Sequence, residues 1–459
     1  MSRDEKSRGT RKRRRARRSG SGGSARSRPR RAAERPSGAV VLERPEHSVS
    51  RRFISDAALK VLYRLDKAGY EAYLVGGAVR DLLLGGRPKD FDIVTDARPE
   101  QMRKLFRNSR IIGRRFRLVH VLFGNEIVEV ATFRRDPDPR RQRGRGSNEL
   151  LVTSDNTYGT PREDAFRRDF TVNALFYRIH DFSVVDYVGG LDDLDQRMIR
   201  VIGEPAVRYQ EDPVRMLRAC EFAGRLGFDI ERETLDAIRE QRREIHKAAP
   251  ARLVEELLQL LGCGRAEPAF EWASDSGLLE SLIPEARDIL EGRGRGAGFA
   301  RLFGVLDRWV QEGAELSEGF LVAALLAPSV INRRLRLERR RELSRPEVQE
   351  IASDAVAALM SRFQLSNVRR DRAYEILETL QRLIEPIPDK ERAAWAICWR
   401  PSFREALDLF ELLRESSDGG GAEILEAWRE IADQAPPRQR AKSGGKKSGG
   451  RRRPRRKRR

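Results

Sequence analysis

The run LVGGAVRDLLLGGRPKDFDIVTD, Leu74 to Asp96, decides how this chain is read. An apolar, strand-like segment breaks at Gly76-Gly77, a turn whose backbone N–H groups can approach a phosphate. AVRDLLL then opens a helix with Arg80 in its first turn, and a helix N-terminus favours anions. Asp90 and Asp92 follow at i and i+2 in a β-rich segment. At that spacing both carboxylates project from one face, roughly 6–7 Å apart at the backbone. Acidic side chains so placed can share divalent ions, and two-metal phosphoryl chemistry needs carboxylates clustered around ions about 3.5–4 Å apart. Each feature alone is common. Their succession as strand, glycine pair, helix and DxD is not.

Working outward, Ile54 to Ala68 has helical apolar spacing, and YEAYLVGGAV reads as the strand that ends at the glycines. DFDIVTDA, LVHVLFG and EIVEVATF are β-rich and follow quickly, divided by the amphipathic stretch PEQMRKLFRN. From about Glu211 the pattern turns helical, as in VRMLRACEFAGRLGF, ARLVEELLQLLG and FLVAALLA. The expected fold is α+β: a small-sheet head, an all-helical neck and body, and disordered basic tails. Arg134 to Gly146 (RRDPDPRRQRGRG) reads as a mobile loop, and no internal repeat is visible.

The 459 residues carry a net charge of +21, unevenly placed. Residues 1–52 hold 18 basic and 5 acidic side chains, and 435–459 hold 13 basic and none acidic, so the part between is mildly acidic. Basic arms on a near-neutral body point to a polyanionic partner, most simply nucleic acid. Cys220, Cys263 and Cys398 lie far apart without CxxC spacing, which indicates neither a disulfide framework nor a zinc site and fits a reducing, cytoplasmic compartment. The longest apolar run, Phe320 to Leu326, stops at Pro328 and is too short for a transmembrane segment. Four histidines (His47, His120, His180, His246) show no metal-ligand spacing, which argues against a histidine-based hydrolase.

The Leu74–Asp96 run resembles the nucleotidyltransferase superfamily that contains bacterial poly(A) polymerases and CCA-adding enzymes. The resemblance continues through GRRFRLVHVLFG (Gly113 to Gly124), EVATFR (Glu129 to Arg134), RRDFTVNALFY (Arg167 to Tyr177) and EDPVRMLRACEFAGRLGF (Glu211 to Phe228), about half the chain. It implies that Asp90 and Asp92 bind catalytic magnesium ions, or manganese in their place, and that Asp169 belongs to the catalytic set. Glu129 is a further carboxylate candidate; the sequence leaves open whether Glu129 or Asp169 completes the metal site. The nucleotide-binding set implied is Gly76, Gly77, Arg80, Arg168, Asn173, Glu211, Asp212, Arg215 and Arg218, with Arg218 facing the triphosphate. Base selection falls to EDxxR, where Asp212 and Arg215 at i and i+3 are expected on one helix face. A carboxylate accepts from the amino group of adenine while a guanidinium donates to its ring nitrogen; cytosine offers a similar edge. A further arginine is expected where this chain has Glu221.

The reaction implied is attack of an RNA 3′-hydroxyl on the α-phosphate of a nucleoside triphosphate, with pyrophosphate leaving. The approach HSVSRRFISDAALKVLYRLDKAGYEAYLVGG, the GRRFRLVH block and the arginine-rich end favour the poly(A) polymerase branch, which uses ATP on many RNA 3′ ends and marks RNA for decay, with the RNA-decay machinery as an expected partner. The alternatives are a CCA-adding tRNA nucleotidyltransferase, and a non-catalytic RNA-binding protein with a decayed transferase domain. The domains expected are a disordered arm (1–50), catalytic head (51–180), neck (181–265), RNA-binding helical body (266–434) and Arg-rich tail (435–459).

Overall fold

The computed structural model describes residues 38–113, 117–135, 157–286, 301–417 and 420–437. Its N-terminal half is built on one mixed sheet of eight strands: β1 (Val40–Leu42), β2 (Ala72–Val75), β3 (Asp92–Thr95), β4 (Ser109–Ile112), β5 (Leu118–Phe123), β6 (Glu126–Thr132), β7 (Leu175–Arg178) and β8 (Val184–Asp186). Their order is β1-β8-β7-β2-β3-β6-β5-β4. All neighbours are antiparallel except β3 and β6, which run parallel.

Period-two alternation sorts the strand residues onto two apolar layers. Leu74 and Ile93 join the large core under α1 (Asp56–Lys67) and α2 (Gly77–Leu83), while Tyr73, Val75, Val94 and Phe176 pack on the other face. Helix α1 begins where the Ser55 hydroxyl accepts from the Ala58 N–H at 3.1 Å, and it buries the stripe Ala58, Val61, Leu62 and Leu65. Helices α3 (Pro99–Leu105), α4 (Pro161–Phe166) and α5 (Gly190–Asp195) complete the head.

The head is longer than expected at both ends. Residues 40–42, assigned to the disordered arm, form β1 against β8, and Val49 is fully buried. Strand β8 lies past the expected boundary at 180. Both are three-residue strands, too short to show periodicity, and they form because each supplies the edge of its neighbour with hydrogen bonds. Residues 1–37 and 438–459 of the arms, 136–146 of the expected loop, and 114–116 of GRRFRLVH lie outside the described residues, whereas Arg134, the first residue of that loop, is buried and bridges to Tyr158.

The neck follows as α6 (Pro205–Glu211), α7 (Val214–Leu226), α8 (Arg232–Gln241) and α9 (Pro250–Gly262), with one parallel bridge of strands, β9 (Met198–Ile199) and β10 (Asp229–Ile230), in an otherwise helical region. Helix α7 ends at Gly227 in the left-handed conformation. It presses onto α10 (Ala266–Asp275) at Gly224, where a Cβ would stand 2.5 Å from the Ala269 nitrogen. The body beyond is, among the described residues, built of helices, and its Glu318–Glu338 helix continues through Pro328, where the apolar run ends. Among the described residues no helix is long and apolar enough to cross a membrane.

Candidate active site

The parallel register of β3 and β6 places Ile93 beside Val130. One residue earlier, Asp92 therefore lies beside Glu129 on the face that carries Val75 and Val94. Across the other edge of β6, Glu129 faces His120, whose Nε2 is 2.9 Å from Glu129 Oε1. Asp92 is the first residue of its strand, and Asp90 precedes the strand rather than lying in it, a departure from the expected shared strand face. Lys89 instead forms a bend, and Asp90 follows it in the segment that delivers the chain into β3.

Asp92 is solvent-accessible yet ringed by protein. That desolvation lifts its pKa above the ordinary carboxylate range; Glu129 and Asp90 add repulsion, and Arg168 alone opposes them. The group is thus short of positive charge. Among the described residues no three His, Cys, Asp or Glu side chains enclose an ion by themselves. This suits a hard divalent cation that is held by one or two carboxylates and shares its remaining positions with water and substrate phosphate. The donor set fits such an ion.

Beside the carboxylates stands the glycine turn. Gly76 has φ +72°, a conformation that other residues adopt at a cost, and a Cβ there would point at Arg168 Nη1 from 3.6 Å. Arg168 is oriented from behind: the buried Asp164 accepts from its Nη2 at 2.9 Å and its Nε at 3.2 Å, and the guanidinium lies over the Phe176 ring. Asp92, Arg168 and Gly76 thus converge at one end of β2 and β3. Arg80 stays behind the turn, 2% exposed, donating to the Asp81 carboxylate and to the side-chain Oδ1 of Asn173. Burial lowers its pKa, with Asp81 opposing.

Asp169 occupies a different environment. Its Oδ1 accepts from the Phe170 N–H at 2.8 Å and from Asn173 Nδ2 at 3.4 Å; Oδ2 accepts from Arg218 Nε at 2.9 Å. Burial works against its charge, but Arg218 and the Phe170 N–H outweigh it and hold the carboxyl below its usual range. Glu129 and Asp90 repel the charge of Asp92 while Arg168 attracts it, and the charges acting on Asp169 are Arg218 and Arg215. Nor is Asp169 paired with its neighbours Arg167 and Arg168, which both turn to Asp164. Arg218, expected to face the triphosphate, spends its donors inward on Asp169 and on Glu256 of α9, at 3.0 Å. Burial disfavours its charge, and the two carboxylates overcome this to raise its pKa.

The EDxxR residues do not share a helix. Glu211 closes α6, Asp212 has φ −150° and ψ 89°, Pro213 separates the helices, and Arg215 sits in the first turn of α7. Proline restricts the residue before it to extended backbone, so Asp212 leaves the helix. Its carboxylate accepts from Arg252 of α9 at 2.7 Å. Arg215 donates to the Arg208 carbonyl at 3.1 Å and to Glu211 at 3.5 Å. Glu221, standing where an arginine was expected, is fully buried and 3.1 Å from Arg225 Nε. Burial raises its pKa despite Arg225 and Arg218. Arg225, one turn on, is its ion-pair partner.

Asp164, Arg208, Arg252 and Glu256 were not read as site residues from the sequence. Asp164 and Arg208 carry only a local ion-pair signal, Asp164 with Arg167 and Arg168 at i+3 and i+4 and Arg208 with Glu211 at i+3; the reach of Arg208 to the Arg167 and Arg168 carbonyls spans 41 and 40 residues and has none. Arg252 and Glu256 carry a faint one: they are one turn apart on the polar side of an amphipathic helix.

A model of the poly A polymerase head domain matches residues 72–200. A model described as a probable RNA and SrmB-binding site of polymerase A matches 227–290, and one of the polymerase A arginine-rich C-terminus matches 345–459. Poly(A) polymerase I of Salmonella typhimurium is 39% identical over 414 residues, 87% of either chain. The CCA-adding enzyme of Lactobacillus helveticus is 38% identical over 226 residues, 49% of this chain and 54% of its own. Among solved structures, the Bacillus stearothermophilus CCA-adding enzyme in complex with CTP superposes with a TM-score of 0.58 at 27% identity, covering 82% of each chain.

Proposed function

The chain belongs to the poly(A) polymerase family and is an enzyme of nucleotidyltransferase type, and from that premise we propose that it extends RNA 3′ ends with AMP from ATP, without a template, in the cytoplasm and as a mark for decay. The observation that carries this over CCA addition is reach. Identity to the poly(A) polymerase runs over 87% of the chain, whereas identity to the CCA-adding enzyme runs over 49%.

Asp90 and Asp92 would hold divalent ions, magnesium by preference, with Glu129 as the neighbouring carboxylate. Bound there, the ions supply Lewis-acid activation of the 3′-hydroxyl and neutralisation of the leaving pyrophosphate. The chain's own contribution is positioning. The Gly76-Gly77 turn admits phosphate close to the backbone, and Arg168, aimed by Asp164, meets its charge. Asp212 accepts from the adenine amino group while Arg215 donates to the ring nitrogen. Asp169 and Asn173 support the site through Arg218 and Arg80. The arginine-rich end, 13 basic residues and no acid in 435–459, suits an arm that grips any RNA backbone.

Incubation of an unstructured RNA with magnesium and one nucleotide at a time tests the reading. A ladder of many additions with ATP only is the expected result. Addition of two C residues and then one A to a truncated tRNA, with no ladder on other RNAs, would replace it by the CCA reading.

A further inference from the structure

Arg208 lies on α6, outside every residue assigned a role above, and it is 7% exposed. Its Nη2 donates to the carbonyl oxygens of both Arg167 and Arg168, at 2.8 Å each. Its Nη1 donates to Glu211 Oε2, also at 2.8 Å. Its own carbonyl accepts from Arg215 Nη1 at 3.1 Å. One residue is therefore bonded to the backbone beneath Arg168, to the carboxylate beside Asp212, and to the guanidinium of Arg215.

We propose that Arg208 is a positioning residue that sets the distance between the triphosphate arm, Arg168, and the base-reading pair, Asp212 and Arg215. The head presents Arg168 on the loop after α4, and the neck presents Asp212 between α6 and α7 and Arg215 in the first turn of α7. A nucleotide read at both ends needs those two groups at a fixed separation, because a displacement near 1 Å at a positioned group costs much of its benefit. A planar guanidinium suits this task. It offers donors in a rigid fork, so one side can bridge two successive carbonyls while the other holds a carboxylate. An ammonium has no such fork and concentrates its donors at one point. The span also bears on base choice. A purine and a pyrimidine attached to the same triphosphate present their amino groups at different reach, so the separation that Arg208 fixes favours one over the other.

This inference rests on the nucleotide-reading roles proposed above. Its test compares wild type with Arg208→Lys, which keeps the charge, and Arg208→Met, which keeps the stem. The readouts are KM and kcat with ATP and with CTP on an unstructured RNA, equilibrium binding of ATP, and Tm. For the lysine variant we expect KM for ATP to rise about tenfold, with kcat within about threefold of wild type. The ATP-to-CTP ratio of kcat/KM should fall several-fold, and Tm should stay within a few degrees. The methionine variant should move in the same direction and further. An anchor that merely holds neck to head would lower Tm and leave the ratio alone. Unchanged KM, ATP affinity and ratio in the folded variants, or failure of both to fold, overturns the proposal. Wild-type protein that binds ATP and extends no RNA would instead defeat the poly(A) reading, and ATP affinity alone would then decide the role of Arg208.

Discussion

Two carboxylates of the head, Asp92 and Asp169, are treated in opposite ways by the fold. Asp92 stands beside Glu129 and Asp90 with Arg168 as its one positive neighbour, and its pKa is pushed up by desolvation and repulsion. Asp169 is half-buried, receives hydrogen bonds from Phe170, Asn173 and Arg218, and is held low. A fold does not crowd like charges at a solvent-accessible spot for stability's sake. The crowding of like charge at Asp92 is what the proposed metal site would relieve, whereas Asp169 finds its partners within the fold.

The contrast is broken most directly at Asp92. Asp92→Asn removes one charge and almost no volume, so we expect chain extension to fall by about a thousandfold or more, as for loss of a principal catalytic electrostatic group. The folded state should persist, with Tm equal to or above that of wild type as the repulsion from Glu129 is relieved. Extension within tenfold of wild type would remove Asp92 from the metal site.

At Asp169 the expected loss is in the fold. Asp169→Ala leaves Arg218 with Glu256 alone and strands two buried donors, and breaking a buried pair from one side costs about 3–5 kcal/mol. The urea midpoint should drop accordingly, with activity falling because less protein is folded. Acid should reproduce part of this. The folded pKa of Asp169 is depressed, so its contribution is present above the unfolded carboxylate pKa, about 3.9, and is lost as pH falls through the lower folded value. If Asp169→Ala unfolds at the wild-type urea midpoint and yet cannot extend RNA, Asp169 belongs with the metal ligands after all.

How far the sequence reveals this contrast depends on the sequence distance over which it is made. The β2-turn-α2-β3 unit is legible because alternation and a glycine pair are local signals. The two-residue spacing of Asp90 and Asp92 is legible too, although only Asp92 enters the strand. That Glu129 rather than Asp169 is the neighbour of Asp92 follows from the parallel register of β3 and β6, which no local pattern specifies. The partner of Asp169 is 49 residues away, and that of Asp212 is 40 away on another helix. Glu221 was visible as an anomaly, and Arg225 at i+4 as a possible partner, but the complete burial of its carboxylate comes from the packing of α7.

Glu129 sharpens the comparison at an intermediate scale. If it lends charge to the Asp92 group without being a principal ligand, Glu129→Gln should reduce extension by roughly tenfold, about 1.4 kcal/mol, and should shift the magnesium concentration needed for half-maximal rate upward. Loss as complete as that of Asp92→Asn would promote it to a principal ligand; no shift in the magnesium requirement would leave it a partner of His120 only.

The smallest expected effect is at Glu221, which tests whether unbalanced charge always marks a reaction site. Glu221 resembles Asp92 in having its pKa raised by burial, yet it has no access to solvent and its ion-pair partner is Arg225, at 3.1 Å. A carboxyl whose folded pKa exceeds its unfolded value binds its proton more tightly in the folded state. Its favourable contribution is therefore full below the unfolded pKa, about 4.3, and is lost as pH rises through the folded value. Near neutral pH the charge is a net cost to folding. Glu221→Gln should accordingly raise Tm at pH 7 by a few degrees, about what 1 kcal/mol does to a domain of ordinary size, and the gain should shrink as pH is lowered toward 4. KM for ATP should change little, because Glu221 touches none of the groups that read the nucleotide. A glutamine variant that is less stable at pH 7 would mean that Arg225 more than compensates the burial. In that case Glu221 would belong with Asp169 among the joints, as the fold's answer to an arginine it does not have.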